Sequence, residues 1–294
     1  MKKLLFRLLA WYLRNSPIEK GRYRLVHFAG PIGREIGREL GRRTVRTKYG
    51  FTMELDLSDW IPQHIYLTGE FEATTSIIAK SLVKPGDTVV DVGANIGYFS
   101  LLFAQCVGRS GTVYAFEPVP RLVLNLKRNL GLNKLNCVNV TAVALSDRRG
   151  KARFYEGPAD NSGLSSLREP RQSSASFEVE LAPFDELIDD HSKVTLVKID
   201  VEGAELQVLR GMERMLRATH PSLLLEVTDH FLAEMGDSSA SLLKYIRSLQ
   251  YIVYMIDDRQ VSLLNESSKK LPKQWNALCT SRPLTGDRGS ITLS

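Results

Sequence analysis

The sequence has few residues that could crosslink the chain or bind a soft metal ion. Its three cysteines, Cys106, Cys137 and Cys279, are odd in number and form no C-x-x-C pair. This spacing excludes a disulfide framework and a thiolate metal site, and it is typical of a reducing compartment. The five histidines also lack convergent spacing. We therefore expect a cytoplasmic protein whose cysteines are ordinary core residues.

The sequence also lacks an apolar run long enough to span a bilayer, which takes about 20 residues. The stretch from Met1 to Arg14 resembles a signal peptide, but Arg7 interrupts it and no small-x-small cleavage site follows. One helical face could carry Leu4, Leu5, Leu8, Trp11 and Tyr12, with Lys3, Arg7 and Arg14 displaced from it. Such a helix fits two placements. It could lie on an anionic membrane surface, peripheral to the inner face, or dock on the domain or on a partner chain.

Basic residues are concentrated in the N-terminal part of the chain. The net charge is +6, yet residues 1–50 contain 13 Lys/Arg and 3 Asp/Glu, whereas the remainder contains 26 and 30. We interpret residues 1–44 as a short basic, partly amphipathic helical extension and residues 45–294 as the main domain. No basic motif interleaved with aromatic residues is present, so we expect no nucleic-acid partner.

The glycine turn between residues 86 and 100 lacks the spacing of the common nucleotide loops. A G-x-G-x-x-G fingerprint would need glycines at 93, 95 and 98, where the chain has Gly93, Asn95 and Tyr98. The Gly-Lys-Ser/Thr of a phosphate-binding loop is also absent. What remains is a buried strand, a turn bracketed by Gly93 and Gly97, and an apolar helix, a layout that brings a backbone turn to a nucleotide-like ligand. Asp91, near the strand's end, favours a ligand that carries positive charge or hydroxyl groups.

Strands and helices alternate along the rest of the chain. The predicted strands are 88–92, 112–116, 138–145, 194–199 and 223–227, with closing strands at 251–256 and 275–280. The strand at 138–145 is expected to turn at 147–150 and return through 152–155, and helices are expected at 98–107, 121–130, 204–216 and 239–249. This alternation predicts a doubly wound, Rossmann-like α/β fold with a mostly parallel sheet and helices on both faces. The polar stretch 156–176 is predicted to be a loop, functional or mobile.

Carboxylates follow four of the five main strands. Asp91, Glu117, Asp200 with Glu202, and Glu226 all lie at strand ends, where ligands bind in a doubly wound sheet. Any one of them could be a solvated turn residue, but their common placement favours a binding rim. Glu117 lies 24 residues beyond Gly93, a position from which a carboxylate accepts hydrogen bonds from a ribose diol.

Four motifs together resemble the FkbM-type methyltransferase family. They are Asp91-Val-Gly-Ala-Asn-Ile-Gly97, Phe116-Glu-Pro118, Ala144-Leu-Ser-Asp147 and Val197-Lys-Ile-Asp-Val-Glu-Gly-Ala-Glu205. The resemblance extends over about residues 45–285, including Asn276-Ala-Leu, and leaves out the N-terminal arm. It implies a class I methyltransferase sheet, S-adenosylmethionine as the cofactor, and methylation of hydroxyl groups. A rim of carboxylates suits this cofactor because it carries a sulfonium and an ammonium group.

The resemblance also implies roles for individual residues. Asp91, Gly93 and the turn up to Gly97 would hold the methionine end of the cofactor, and Glu117 the ribose hydroxyls. The turn at Ser146 and Asp147 would lie beside the adenine. Glu72 would fold over the cofactor or begin a solvated helix. Asn95 would either cap a helix that starts at Ile96 or contact the ligand.

The candidate bases are acidic residues near the expected sulfonium, with one histidine nearby in the sequence. Asp200 or Glu202 could bind the ammonium group of the cofactor while the other orients or deprotonates the acceptor. Asp229 and His230, after the fifth strand, form a second candidate. Asp200, Glu202 and Glu226 could also converge on a divalent cation, but oxygen ligands without fixed spacing are a weak signal and we predict no metal.

The sequence therefore predicts an S-adenosylmethionine-dependent O-methyltransferase for a glycan, a lipid-linked sugar or a secondary metabolite. Acceptor choice is assigned to loop 156–176, where Arg168 and Arg171 could bind an anionic acceptor, and to residues 227–239. Two alternatives stay open at this point. One is a nicotinamide-dependent oxidoreductase, against which the missing third glycine argues. The other is an inactive, membrane-associated scaffold with the same fold.

Overall fold

A mixed nine-stranded sheet organises the described part of the chain. The computed structural model describes residues 2–15, 33–157, 161, 163, 165–167, 175–257, 260–264, 271–284 and 290–292. The strands are β1 (Arg42–Arg46), β2 (Thr52–Asp56), β3 (Thr88–Val92), β4 (Thr112–Phe116), β5 (Val138–Thr141), β6 (Ala144–Leu145), β7 (Gly150–Tyr155), β8 (Ser176–Ala182), β9 (Val194–Ile199), β10 (Ser222–Thr228), β11 (Ile252–Asp257), β12 (Gln260–Leu263), β13 (Gln274–Thr280) and β14 (Ser290–Thr292). The helices are α1 (Lys2–Asn15), α2 (33–40), α3 (Trp60–Thr68), α4 (Ala73–Leu82), α5 (Tyr98–Val107), α6 (Pro120–Leu132), α7 (Phe184–Leu187), α8 (Glu205–Gly211), α9 (Glu213–Thr219), α10 (Asp229–Glu234) and α11 (Ser239–Ser248).

The sheet confirms the doubly wound prediction. Its order is β14-β12-β11-β13-β10-β9-β3-β4-β5, and the five strands from β10 to β5 run parallel. β13 lies antiparallel between β10 and β11. The chain leaves β3 towards β4 and β5, then returns to the other side of β3 through β9. This reversal creates a crevice outside the carboxyl ends of β3 and β9, where α/β sheets bind ligands.

Helices cover both faces of the sheet, as the sequence predicts. Every residue of β3 is buried, and alternate side chains point to opposite faces because the strand period is two. Val89 packs in one apolar cluster with residues of α4, α5 and α6. Val90 and Val92 pack in the other with residues of α8, α9 and α11. The continuous apolar run of this strand is therefore explained by burial on both sides.

Two predicted elements are wrong. The strand expected over 138–145 ends at Thr141, and Ala144–Leu145 joins a separate three-stranded sheet of order β6-β8-β7. The return strand β7 pairs with β8 rather than with β6, so the expected hairpin does not form. The helix expected over 204–216 breaks at Met212. A side chain on Gly211 would come within 1.9 Å of the Ser146 carbonyl oxygen, so the chain approaches β6 too closely there for any other residue.

The N-terminal helix α1 docks on the domain, which was one of its two expected placements. Phe6, Ala10 and Leu13 are buried, and the Phe6 ring stacks on Tyr66 of α3 with centroids 5.8 Å apart. The Arg14 side chain donates hydrogen bonds of 2.8 and 3.2 Å to the carbonyl oxygens of Tyr66 and Ile65. In the described ranges, no helix combines the length and apolarity needed to cross a bilayer.

Candidate active site

A cleft of about 850 Å³ lies at the carboxyl edge of the parallel strands. Its volume falls in the range typical of small-molecule and cofactor sites. All the carboxylates that were predicted to form a binding rim line this cleft: Asp91, Glu117, Asp200, Glu202 and Glu226. The structure thus brings the strand-end acids to one site, although the role of each acid stays a prediction.

The glycine turn passes between β4 and β9 with no room for a side chain. Gly93 has φ = +79°, and a Cβ atom there would lie 1.9 Å from the Asp200 carbonyl oxygen. The backbone N–H groups of Gly93 and Ala94 both donate to the Phe116 carbonyl oxygen at 3.0 Å. The turn is therefore fixed on one side by β4 and on the other by β9, and its backbone lines the cleft.

Asn95 and Gly97 shape this turn in different ways. The side-chain oxygen of Asn95 accepts from the neighbouring Ile96 N–H at 2.8 Å, while α5 begins later, after Gly97, and has no side-chain cap. The capping interpretation of Asn95 is therefore wrong. Asn95 adopts φ = +51° and lines the cleft. At Gly97 a Cβ atom would come 2.2 Å from the Leu126 side chain, so this glycine allows α5 to pack against α6.

Glu117 is a buried carboxylate oriented by the backbone. One oxygen accepts from the Asn95 N–H at 2.8 Å and the other from the Val119 N–H at 2.9 Å. Burial raises the pKa of Glu117 to about 7, although both backbone hydrogen bonds lower it. A carboxylate oxygen has two lone pairs, so each oxygen keeps an acceptor position for a hydroxyl group. This geometry fits the expected hydrogen bonds to a ribose diol.

Lys198 supplies a buried positive charge beneath the acidic cleft. Its ammonium lies 3.0 Å from Oδ2 of Asp200 and 4.5 Å from the centre of the Phe99 ring. Burial lowers the pKa of Lys198, but Asp200, Glu72 and Asp91 outweigh burial and raise the pKa above its usual value. Lys198 therefore stays protonated. The sequence analysis assigned no role to this residue.

Asp91 lies inside the same charge network. It is almost fully buried and accepts a 2.6 Å hydrogen bond from the Ser100 hydroxyl. Burial raises the pKa of Asp91, whereas Lys198 and the Ser100 hydrogen bond lower it. A cationic ligand in the cleft would favour the ionised form. Asp91 lines the cleft beside the glycine turn, and its contact with the methionine end of the cofactor stays a prediction.

A second group of carboxylates lies on the β10 side of the cleft. One oxygen each of Glu72, Asp200 and Glu226 lies within 4.8 Å of the others. Burial, with the nearby Asp200, raises the pKa of Glu72, and burial together with Asp200, Glu72 and Glu202 raises that of Glu226 well above its usual range. Three oxygens at this spacing could also bridge a divalent cation. The sequence analysis proposed Asp200, Glu202 and Glu226 as possible metal ligands, whereas the structure groups Glu72 with Asp200 and Glu226. Lys198 already places a positive charge beside Asp200 and Glu72.

The structure does not bring every predicted residue into the cleft. His230 is exposed, with its ring 4.0 Å from that of Phe231, and does not line the cleft. Asp229 accepts hydrogen bonds from Ser239 and so fixes the start of α11. The cleft is lined by Val143, Ala144 and Leu145 rather than by Ser146 and Asp147, whose adenine contact stays a prediction. Arg168 and Arg171 lie outside the described residues.

Aromatic residues form one wall of the cleft, and the sequence analysis missed them. Trp60, His64 and Phe71 line it, with ring centroids 5.3 to 6.1 Å apart. Trp60 and His64 are four residues apart on α3, a spacing that places both on one helical face. Trp275 and Asn276 also line the cleft, at the start of β13. An antiparallel strand begins at the edge where its parallel neighbours end, and this rule would have identified both residues.

The fold and the cleft define a class: a doubly wound α/β domain with a glycine turn and a carboxylate rim for a cationic nucleoside. Comparison with known sequences identifies the family. The description "Methyltransferase FkbM domain" matches residues 91–253, more than half of the chain. The chain belongs to the FkbM methyltransferase family, and this domain is an S-adenosylmethionine-dependent methyltransferase domain. The family match favours this interpretation over the nicotinamide alternative.

Curated relatives share about 30% identity with the chain. The 31-O-demethyl-FK506 methyltransferase FkbM of Streptomyces tacrolimicus is 30% identical over an alignment of 161 residues that covers 45% of this chain and 61% of the relative. The hexuronic acid methyltransferase AglP of Haloferax volcanii is 31% identical over 160 residues, or 52% and 61%. The antimetabolite synthetase AmbE of Pseudomonas aeruginosa is 28% identical over 215 residues, only 10% of its length. The chain thus spans about three fifths of the first two relatives.

Solved structures give a weaker likeness. The methyltransferase FkbM from Methylobacillus flagellatus has a TM-score of 0.44 and 17% identity, with 75% of this chain and 53% of that chain covered. An O-methyltransferase from Thermotoga maritima, described as S-adenosylmethionine-dependent, has a TM-score of 0.44 and 16% identity, with 83% and 79% covered.

Proposed function

We propose that this protein transfers the methyl group of S-adenosylmethionine to a hydroxyl group of a sugar or another polyhydroxylated small molecule. The observation that carries the proposal is the composition of the cleft. The turn at Gly93, Asp91 and Glu117 form one end, suited to a cationic nucleoside. Glu202, Glu226 and the aromatic wall line the same cleft, and we assign them to the acceptor.

The acceptor end of the cleft has the chemistry that carbohydrate acceptors require. Carboxylates accept hydrogen bonds from hydroxyl groups, and aromatic rings present flat apolar surfaces to the C–H faces of a sugar ring. Two relatives support the same class, since one is named for a 31-O position and the other for a hexuronic acid. A glycan, a lipid-linked sugar and a hydroxylated secondary metabolite all meet these requirements.

The reaction is an in-line displacement at carbon. Bound S-adenosylmethionine supplies the methyl group on a positively charged sulfur. The acceptor oxygen forms a bond to the methyl carbon while the carbon–sulfur bond breaks and its electron pair returns to sulfur. The hydroxyl proton passes to a carboxylate at the end of β9, for which Asp200 and Glu202 are the candidates. Alignment of the two reactants in a closed cleft supplies most of the acceleration.

The proposal includes the place where the enzyme works. Three cysteines with no disulfide described among them fit a reducing compartment, so we place the enzyme in the cytoplasm. Its position at the inner face of the membrane is proposed from the exposed apolar residues of α1. A lipid-linked sugar acceptor would be presented there. An inactive scaffold is the competing interpretation, and the carboxylates that line the cleft count against it.

The experiment has two stages because the acceptor is unidentified. Cofactor binding is measured first by calorimetry, with Asp91→Asn and Glu117→Gln expected to weaken it and Asp190→Asn, an exposed acid outside the cleft, as the matched control. Methyl-labelled S-adenosylmethionine is then incubated with the protein and with fractionated glycans, lipids and metabolites. Label in an alkali-stable ether of one fraction supports O-methylation. Cofactor binding without label in any fraction would favour the scaffold, and unchanged affinity in both variants would contradict the cofactor site.

A further inference from the structure

The N-terminal helix α1 has two apolar faces, and only one of them packs against the domain. Its inner face buries Phe6, Ala10 and Leu13, which are 4, 5 and 1% exposed. Ion pairs to α2 hold the start of the helix, Lys2 to Glu35 at 3.5 Å and Lys3 to Glu39 at 3.1 Å. The helix is therefore fixed at both ends, since Arg14 bonds to α3 at the other.

The second face is apolar and exposed. We call it the outer face of α1; it comprises Leu4 (62% exposed), Leu5 (58%), Leu8 (53%), Trp11 (66%) and Tyr12 (43%). The spacing of these residues, i, i+1, i+4, i+7 and i+8, places them along one side of a helix. Single exposed leucines need no explanation, but a contiguous apolar stripe marks an interaction surface. The helix α1 can therefore pack on the domain and bind another surface at the same time, because the two contacts use different faces of the helix.

The charge around this stripe indicates what it binds. The helix α1 carries four basic residues and no acidic residue. Lys2, Lys3 and Arg14 contact the domain, and Arg7 is exposed. An anionic lipid surface complements this charge, whereas a second copy of the chain would bring the same positive helix. Trp11 and Tyr12 also suit the boundary between headgroups and acyl chains.

We propose that the outer face of α1 binds the surface of an anionic bilayer while the inner face stays docked on the domain. A 14-residue helix is about 21 Å long, so it lies along the interface rather than across it. Apolar side chains enter the headgroup boundary, and the exposed Arg7 contacts anionic lipid. This binding does not require methyl transfer; only its benefit for a lipid-linked acceptor rests on the proposed function.

The attachment of α1 connects this surface to the active site through a single helix. Ile65 and Tyr66 of α3 bind α1, and Trp60, Ile61 and His64 of the same helix line the cleft. A bilayer bound to the outer face would therefore be held at a set position relative to the aromatic wall.

Flotation of the full chain with vesicles tests the proposal. The vesicles consist of phosphatidylcholine alone or of phosphatidylcholine with phosphatidylglycerol. We expect binding to the anionic vesicles, weakened by salt. Leu8→Ser with Trp11→Ser should weaken it at least about tenfold, since both side chains lose burial in the bilayer. Arg7→Gln should weaken it about fivefold at low salt.

The matched control is Leu124→Ser, which removes a similarly exposed leucine (65%) from α6, outside this face. It should float like the unmodified protein. Cofactor affinity should stay unchanged in every variant, which shows that each one folds. Two results would overturn the proposal: no flotation of the full chain, or equal flotation with phosphatidylcholine alone. In the first case, a dimer that Leu8→Ser with Trp11→Ser dissociates would assign the outer face to a second copy of the chain. Because flotation does not depend on an acceptor, absence of methyl transfer would leave the result intact.

Discussion

The ammonium of Lys198 lies 3.0 Å from Oδ2 of Asp200, at the centre of a cleft lined by carboxylates. Lys198 belongs to β9, next to β3 in the sheet, and is 5% exposed. Its charge also acts on Glu72 and Asp91 and lowers the pKa of both, against the effect of burial. One internal cation thus favours the ionised forms of Glu72 and Asp91 and offsets part of the effect of burial, which raises the pKa of both.

Replacement of this cation should destabilise the protein. In Lys198→Met the buried acids lose their counter-charge, and loss of one partner of a buried ion pair costs about 3 kcal/mol or more. The free energy of unfolding, measured by denaturant titration, should fall by this amount at neutral pH and by less in acid, where the carboxylates take up protons. Lys151→Met, which removes an exposed cross-strand partner of Glu178, should change it by less than about 1 kcal/mol. Equal losses in both variants would contradict the role of Lys198.

Cofactor affinity should rise with pH through the titration of Glu117. Burial raises the pKa of this carboxyl to about 7, and the ionised form is the one that accepts hydrogen bonds and attracts a cation. Binding should therefore be weak below this pKa and reach full strength above it. Calorimetric titration over about pH 6 to 8 should show this rise in the unmodified protein. Glu117→Gln should bind more weakly and with a flatter pH dependence, and an unchanged slope in that variant would assign the titration to another group.

The same shift predicts how folding stability changes with pH. An exposed glutamate has a pKa of about 4.3, so folding raises the pKa of Glu117 and the folded state binds the proton more tightly. Its contribution to stability is present in full below the unfolded pKa and is lost as pH rises through about 7. In Glu117→Gln, the free energy of unfolding should not show this decrease between about pH 4 and pH 7, as measured by denaturant titration at several pH values. Burial also raises the pKa of Glu205 to about 7. Part of the decrease in stability with rising pH should therefore remain in the unmodified protein and in Glu117→Gln alike.

Replacement of Gly93 should be far more harmful than replacement of another glycine with positive φ. In Gly93→Ala the new methyl group would meet the Asp200 carbonyl oxygen at 1.9 Å, so β3 and β9 must separate. In Gly41→Ala, just after α2, the residue has φ = +63° but nothing lies within 4 Å, so the cost is backbone strain of about 1 to 3 kcal/mol. Denaturant unfolding should show a larger loss for Gly93→Ala, together with loss of cofactor binding. Similar losses for both would contradict the close approach.

The sequence predicted the central sheet well because its buried strands leave a strong local signal. The runs at 88–92 and 194–199 are apolar on both faces, and the glycine turn between β3 and α5 is marked by its own residues. The predictions failed where a strand pairs with a partner that is distant in the sequence. Nothing in residues 138–155 indicates that β8, some 30 residues later, pairs with both β6 and β7.

In the candidate site, too, some residues could be predicted from local sequence and others could not. Carboxylates at strand ends could be found because parallel strands end at one edge. Lys198 could not, since a lysine inside a buried strand shows its partners only after β3 and β9 pair and α4 brings Glu72 above them. The two faces of α1 illustrate a further limit. The apolar stripe was identified from the sequence, but only the structure shows that Phe6, Ala10 and Leu13 form a second, buried face.

The remaining prediction concerns the catalytic base. Asp200 and Glu202 line the cleft, whereas His230, the other candidate from the sequence, lies outside it. With the labelled acceptor fraction in hand, His230→Ala should keep the rate of methyl transfer within about twofold. Asp200→Asn or Glu202→Gln, whichever removes the base, should lower the rate by about a hundredfold or more, the usual contribution of general base catalysis. The rate is measured in single turnovers with saturating cofactor, so that weaker cofactor binding by Asp200→Asn does not contribute. If His230→Ala alone abolished transfer, α10 would have to move over the cleft during the reaction and the assignment to β9 would be wrong.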